Sequence, residues 1–384
     1  MRTLLNELKE ELLQVFDHLH ENAEVSWEEI QTTEYLSNLL SAYGLNPIPF
    51  DGCTGFIAEI GEGPYCVGLR TDMDALWQEV DGVFKANHSC GHDAHMTMIV
   101  GTILLLKKLD FQPKGKLKFI FQPAEEKGTG ALKLIEKGVV DDIDYLYGVH
   151  LRPKEEVPLG KCSSGIINGA ARFVSGEIIG EDAHGARPHQ GNNSIEIGAT
   201  LVNEFSKIHL NPMVPYSVKM TTFHAGAQSK NVIPGHATFD LDLRAQTNEV
   251  MDQLNDAVYK ITDAAAAING VKIVLKTEAQ IAAAQIHPDA QRLMEQAIVQ
   301  TIGAENLVQP YMSAGGEDFH FYTIKRPKIK ATMLGLGCDL SPGLHHPKMT
   351  FDKEALFTGI EILAKTMINT CEVIELNDKS IITS

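Results

Sequence analysis

The octet His88-Ser89-Cys90-Gly91-His92-Asp93-Ala94-His95 packs one thiol, three imidazoles and a carboxylate just ahead of an apolar helical pattern. Thiolate sulfur with imidazole nitrogen suits a borderline-soft divalent ion such as zinc, and Gly91 lets the backbone turn so that Cys90 and His92 face one centre. A buried cysteine beside helix-capping polar residues is the plainer alternative. A second cluster tips the balance. Phe119-Ile120-Phe121 reads as a buried parallel strand running into Gln122-Pro123-Ala124-Glu125-Glu126, and open α/β sheets hold ligands at the carboxyl ends of such strands. Adjacent carboxylates point in different directions, so one can ligate a metal while its neighbour moves protons. His150 closes the strand-like run 145–149, and His345 lies in Gly343-Leu344-His345-His346-Pro347 after another at 329–334. Four clusters, each after a predicted strand, are harder to dismiss than one.

The elements that must position these residues follow from periodicity. Helical patterns at 4–19, 29–43 and 95–109 alternate with strand-like runs at 56–60, 66–70 and 116–121, which argues an α/β layer structure with a sheet covered by helices on both faces. The rhythm changes after about Ala171. Runs with period-two character at 172–180, 216–224, 236–244 and 271–276, interleaved with helices at 194–208 and 248–268, predict an inserted α+β lobe of four strands and two helices, ferredoxin-like in order. The expected division is 1–171 with 281–384, and 172–280. A chain of 384 residues exceeds what one average core supports, so two domains are expected. The tail 377–384 is polar enough to fray.

Composition narrows the partners. With 33 basic and 50 acidic side chains the formal charge is −17, which argues against general affinity for nucleic acid or an anionic membrane. The longest apolar stretch, Met96 to Leu106, falls well short of the ~20 residues a membrane helix needs, and the amphipathic start carries no signal-peptide pattern. The expected location is cytoplasmic. Cys53, Cys66, Cys90, Cys162, Cys338 and Cys371 are scattered as reduced thiols are, and only Cys90 keeps company that suggests chemistry.

In order along the chain stand Leu69-Arg70-Thr71-Asp72-Met73-Asp74-Ala75-Leu76, His88 to His95, Gln122-Pro123-Ala124-Glu125-Glu126, Gly148-Val149-His150 and Ala183-His184-Gly185-Ala186-Arg187-Pro188-His189. They are followed by Asn231-Val232-Ile233-Pro234, Gly316-Glu317-Asp318-Phe319 and Leu344-His345-His346-Pro347. This series resembles the metal-dependent amidohydrolases that include hippurate hydrolases, plant auxin-conjugate hydrolases and bacterial N-acyl-amino acid deacetylases, subfamily D of the M20 peptidases and relatives of aminoacylase. The resemblance implies a mixed-sheet, metallopeptidase-like catalytic domain with two divalent metal ions, zinc or manganese, with cobalt or nickel as alternatives. It implies that the inserted lobe mediates a homodimer. Carried over by position, Cys90 bridges both ions, His92 and His150 complete one, and Glu126 and His345 the other. Glu125 remains as general base, taking a proton from the attacking water, and Asp74 orients a ligand histidine. His184 would stabilise the oxyanion, Asn231 and Arg244 would bind the amino-acid carboxylate, and His189 is a further candidate.

The implied reaction is hydrolysis of the amide of N-acyl-amino acids or related conjugates. Two alternatives stand beside it. A dipeptidase or aminopeptidase of the same superfamily would recognise a free α-ammonium group. A non-catalytic, metal-stabilised binding protein is disfavoured by the Glu125-Glu126 pair, since a closed structural zinc centre has no use for a spare carboxylate. The chain departs from the family pattern at Trp77, usually Pro, at Ser89, usually Ala, and at Glu181-Asp182, usually a Gly-rich or Lys-containing stretch. None of these removes a ligand, and they bear instead on which acyl group or amino acid is accepted.

Overall fold

The structure, a computed structural model, describes residues 1–313 and 315–382, with side chains through Leu376. The chain divides into two compact units: Met1–Ile167 with Gln285–Met312 and Asp318–Ser384, and Asn168–Ala284 with Ser313–Glu317. The second unit thus begins a few residues before the expected boundary, ends a few after it, and gains a short later segment.

In the larger unit the apolar runs form an eight-stranded sheet. Its spatial order is Ile48–Pro49, Phe56–Ile60, Lys116–Gln122, Cys66–Asp72, Tyr145–Pro153, Lys330–Leu340, Cys162–Ser163 and Leu307–Val308. The four middle strands, Lys116–Gln122 to Lys330–Leu340, run parallel, with Leu69 opposite Phe119 and Leu334 opposite Val149. Phe56–Ile60 is antiparallel to Lys116–Gln122, which makes the sheet mixed. Every residue of Cys66–Asp72 is buried, as expected of a strand covered on both faces. That strand runs to Asp72, whose carboxylate finds buried partners in Arg70 and His95, and Lys330–Leu340 runs six residues past the predicted end.

The helix His92–Lys108 is buried from His92 to Leu106 and packs between the helices Arg2–Glu21 and Glu354–Ile382. It starts three residues earlier than its apolar pattern suggested. Gly91, at φ 88°, is the residue before the first turn, in the left-handed region that favours glycine, and a Cβ there would lie 2.9 Å from Leu151 Cδ1. The early start turns His92 into the first helical residue and adds Asp93 to the buried helix that carries His95. Helix Glu354–Ile382 carries the backbone of 377–382 in helical form instead of the frayed tail expected; Thr383 and Ser384 lie outside the described residues. All six cysteines are free thiols. Among the described residues, no helix is long and apolar enough to cross a membrane.

The inserted unit holds a four-stranded antiparallel sheet in the order Tyr216–Ala225, His236–Ala245, Ala170–Ile179, Lys272–Ile281, with helices Ser194–Phe205 and Asn248–Asn269. Alternation does the sorting: Val174 and Ile178, with Ala237, Phe239, Leu241 and Leu243, face the helices and are buried. Gly176 lacks a side chain where the Phe239 ring lies across the strand; a Cβ would stand 2.1 Å from that ring. Asn193 and Thr247 cap the two helices, accepting from the amides of Ile195 and Val250.

Candidate metal centre

The predicted ligands of the larger unit come together at the carboxyl ends of its parallel strands. His92 starts the buried helix, Glu125 and Glu126 follow Lys116–Gln122, His150 lies near the end of Tyr145–Pro153, and His345 sits in the loop after Lys330–Leu340. Two triads of donor atoms result, each with all atoms within 4.8 Å: Cys90, His92 and His150, and Cys90, Glu126 and His345. They share the Cys90 sulfur. Cys90 Sγ is 3.5 Å from His150 Nε2, and His345 Nε2 is 3.5 Å from Glu126 Oε1. Donors about 2.0–2.3 Å from a tetrahedral ion stand roughly 3.3–3.8 Å apart, so both spacings suit a cation.

Ring orientation is set from behind. His92 Nδ1 donates to the Asp74 carbonyl at 2.8 Å and His150 Nδ1 to the Leu151 carbonyl at 2.7 Å, which turns each Nε2 toward the cluster as a lone-pair donor. His92 Nε2 and Glu126 Oε1, 3.9 Å apart, are buried without a hydrogen-bond partner among the described residues. Buried polar atoms are rarely left so. Thiolate, imidazole and carboxylate donors with two such orphaned atoms fit a pair of divalent cations. Burial, and then the Glu126 carboxylate, push the Cys90 thiol well above its usual value. A coordinated cation reverses that balance, since a coordinated thiol is deprotonated. Burial pushes His150 down, with His95 and Arg152 adding to it. Burial also opposes charge on His92, but Asp72 and Cys90 outweigh it and raise that ring well above the ordinary range.

Glu125 Oε2 lies 4.0 Å from His92 Nε2, and its Oε1 accepts from the Asp318 amide at 3.4 Å. The Asp74 carboxylate has one oxygen 3.4 Å from His92 Nδ1, and it accepts from Ser26 Oγ at 2.6 Å and from the amides of Glu125 and Glu126, each at 3.0 Å. Burial alone would raise Asp74, but hydrogen bonds from His92, Ser26 and the Glu126 amide bring it below the usual carboxylate value.

Several residues that share this site were not singled out from sequence. Arg70, fully buried, donates to Asp72 at 2.8 Å, Asp318 at 2.8 Å and Gln122 at 2.9 Å. Asp72 also accepts from His95 Nδ1 at 2.8 Å, while His95 Nε2 accepts from the Leu151 amide, so both nitrogens of this third imidazole of the octet are occupied. The usable signal was two charges, Arg70 and Asp72, inside a strand that is otherwise buried. His88 is buried with neither ring nitrogen hydrogen-bonded among the described residues, and burial pushes it down to about 4. Trp77 is 64% exposed on the hairpin Leu76–Val80 and Val83–Asn87, whereas its neighbour Gln78 donates to the His345 carbonyl at 2.8 Å.

The residues expected to contact substrate lie in the inserted unit. His184 is exposed, and its Nδ1 accepts from the Ala186 amide at 3.0 Å. Asn231 is exposed and its carbonyl accepts from the Gly185 amide at 2.8 Å. Arg244 pairs with Asp242 at 2.7 Å and lies over the Phe173 ring, beside a cavity of about 400 Å³ that both Arg244 and Asp242 line. Asp182, in the acidic departure from the family pattern, accepts from the Gly235 amide at 2.7 Å and is thereby part of the turn. His189 is exposed in the short helix Pro188–Gln190.

Parallel strands delivering imidazole, thiolate and paired carboxylates to one edge define a metallohydrolase. The profile of Peptidase family M20/M25/M40 matches residues 68–369, and the chain belongs to that family. It is 30% identical over 397 residues to an N-acetyl-L-cysteine deacetylase of Bacillus subtilis, covering 97% of this chain and 92% of that one. It is 32% identical over 275 residues to an N-acyl-L-amino acid amidohydrolase of Geobacillus stearothermophilus, covering 66% and 74%. The crystal structure of a dinuclear metal-binding peptidase of the M20 family from Bacillus subtilis superposes with a TM-score of 0.81 at 26% identity, covering 97% of this chain and 99% of that one. The protein is a hydrolase of this family.

Proposed function

We propose that the protein is a dinuclear, metal-dependent amidohydrolase that removes the acyl group from N-acyl-amino acids, working as a homodimer. The observation that carries this reading is the pair of donor triads sharing Cys90, with the Glu125 carboxylate beside them. The deacetylase and amidohydrolase names of relatives that align over most of the chain support the substrate class. Cys90 would hold both cations, His92 and His150 one, and Glu126 and His345 the other, with zinc and manganese both suited to the donor set. When bound, two divalent cations lower the pKa of water and polarise a carbonyl.

The chain's own residues do the rest. Glu125 accepts the proton of the attacking water as the C–O bond forms, and returns it to the amine nitrogen as the C–N bond breaks. Asp74 holds the amides of both glutamates. His184 donates to the oxyanion, and Asn231 and Arg244 take the carboxylate of the amino acid.

The test compares acetyl, benzoyl and indoleacetyl amino acids with unblocked dipeptides on zinc- or manganese-loaded enzyme. Blocked substrates are expected to be cleaved and dipeptides not; the reverse result favours an aminopeptidase. Glu125→Gln should keep two metals per chain and lose about 10²- to 10⁴-fold in kcat, because the amide fills the same space without accepting a proton. Near-normal turnover in that variant removes Glu125 from the role of base. Sedimentation of the purified protein tests the dimer.

A further inference from the structure

Three consecutive amides in the turn after Lys116–Gln122 are each held by a buried carboxylate. Ala124 N donates to Glu29 Oε1 at 2.9 Å, Glu125 N to Asp74 Oδ1 at 3.0 Å, and Glu126 N to Asp74 Oδ2 at 3.0 Å. Asp74 was expected in the site from sequence. Glu29, far away in the chain, was not.

Glu29 is 0% exposed and occupies the N-cap position of the helix Ile30–Ala42. A capping side chain ordinarily turns back onto its own helix amides, but this one makes no such bond. Its Oε2 accepts from Thr54 Oγ1 at 2.6 Å, and its Oε1 reaches the Ala124 amide. A carboxylate is costly to bury, and an apolar side chain would fill the same space more cheaply. Its presence therefore points to what it holds. Ala124 is at φ 54°, in the left-handed region that disfavours residues with a Cβ, so its conformation needs support from outside the turn. The Glu29 carboxylate supplies it at the amide immediately ahead of Glu125.

We propose that Glu29 is a positioning residue for the reaction: by holding the Ala124 amide it fixes the backbone that presents Glu125 and Glu126. The proposal rests on the reading of Glu125 as base and Glu126 as ligand given above. A base must sit close to its in-line geometry, and a shift of about 1 Å can cost about a hundredfold in rate. Partners one step behind a metal ligand commonly set its affinity by about 10- to 100-fold.

Four variants test it. Glu29→Ala removes the acceptor, Glu29→Asp withdraws it by one methylene and keeps the charge, and Glu29→Gln retains an oxygen that the Ala124 amide can reach. Leu36→Ala, about two turns further along the same helix and fully buried, loosens the core without touching the turn. Zinc alone is titrated into metal-stripped protein by calorimetry, and kcat and KM are measured with saturating zinc on an N-acetyl-L-amino acid that the wild type cleaves. In Glu29→Ala the weaker zinc affinity is expected to fall about tenfold and kcat by about tenfold or more, with KM within about twofold. Glu29→Asp should lie between, Glu29→Gln should recover to within about threefold of wild type, and Leu36→Ala should lower Tm while leaving kcat and zinc affinity nearly unchanged.

Wild-type zinc binding and turnover in Glu29→Ala, or in Glu29→Asp should the alanine variant not fold, overturn the proposal while Glu125→Gln remains inactive. Equal losses in Leu36→Ala overturn it too, because the effect would then be general loosening. Failure of the underlying reading looks different: Glu125→Gln itself would stay active, whatever Glu29 does.

Discussion

The cluster around Cys90 and the candidate residues of the inserted unit are held in opposite ways. Cys90, His92, Glu125 and His150 are buried at strand ends or at the start of a buried helix; His92 and Glu125 take their orienting partners, Asp74 and Asp318, from other segments, and His150 is turned by the carbonyl of Leu151 within its own strand. His184 and Arg244 are tied to neighbours two residues away, Ala186 and Asp242. A metal centre needs its donors fixed before anything binds, so its surroundings are dry and densely wired. Groups that meet a variable substrate can be more exposed and locally supported, as the residues of binding loops commonly are. Predictions that separate a wired region from a loosely held one therefore test the assignment of roles.

The largest effect is expected at the shared thiol. Cys90→Ala should weaken both metals by about a hundredfold or more and abolish measurable turnover, because both donor triads lose an atom. His345→Ala, at the exposed rim, should chiefly weaken one. Elemental analysis at matched free metal reads the difference. Two fully occupied metals in the Cys90 variant would sink the bridging assignment.

Next comes the buried cation behind the cluster. Arg70→Met strips the guanidinium from the Asp72 and Asp318 carboxylates, and breaking a buried pair by removing one partner costs about 3–5 kcal/mol. Denaturant melts should show that loss in the metal-loaded protein. A loss under about 1 kcal/mol would mean that the network is not wired as tightly as its 2.8 Å contacts indicate.

The same contrast explains what could be read from sequence. The candidate donors could be singled out because their types are dense at 88–95 and because Glu125, Glu126, His150 and His345 close or follow apolar strand-like runs, and the two-lobed fold was legible because period-two runs replace α/β alternation after Ala171. Partnerships were not. Arg70 and Asp72 appear in a recognisable motif, but nothing local says that they meet Asp318, 248 residues from Arg70. Glu29 looks like an ordinary surface-helix acid until the fold buries it against Ala124. The hairpin Leu76–Val80 and Val83–Asn87 hid because Trp77 and Phe84 are exposed apolar residues that break a clean alternation. The helix start at His92 depended on Gly91 adopting a left-handed φ, which no apolar periodicity signals.

A smaller effect than at the thiol is expected from His184. If it donates to the oxyanion, His184→Ala lowers kcat by about 10²- to 10³-fold, with metal content and Tm unchanged, since the side chain is exposed and its recorded bond is local. A kcat within twofold of wild type would assign His184 to the loop and not to the reaction.

The smallest effect should come from Arg244, and it carries a sign that can be checked. Its guanidinium is already paired with Asp242, so a substrate carboxylate must compete with a carboxylate that is in place. The net contribution is then the difference between two similar charge-assisted contacts, about 1.4 kcal/mol or one decade of affinity. Arg244→Ala is accordingly expected to raise KM about tenfold and leave kcat within about twofold, the pattern of lost uniform binding. Asp242→Asn should move KM the other way, because the competing charge is gone while the guanidinium remains. Steady-state kinetics on one N-acetyl-L-amino acid and on its carboxamide separate the cases: both shifts should vanish with the carboxamide, which has no carboxylate to bind. A KM that rises in both variants would instead mean that the Arg244–Asp242 pair supports the sheet edge, and the carboxylate contact would have to be sought at Asn231.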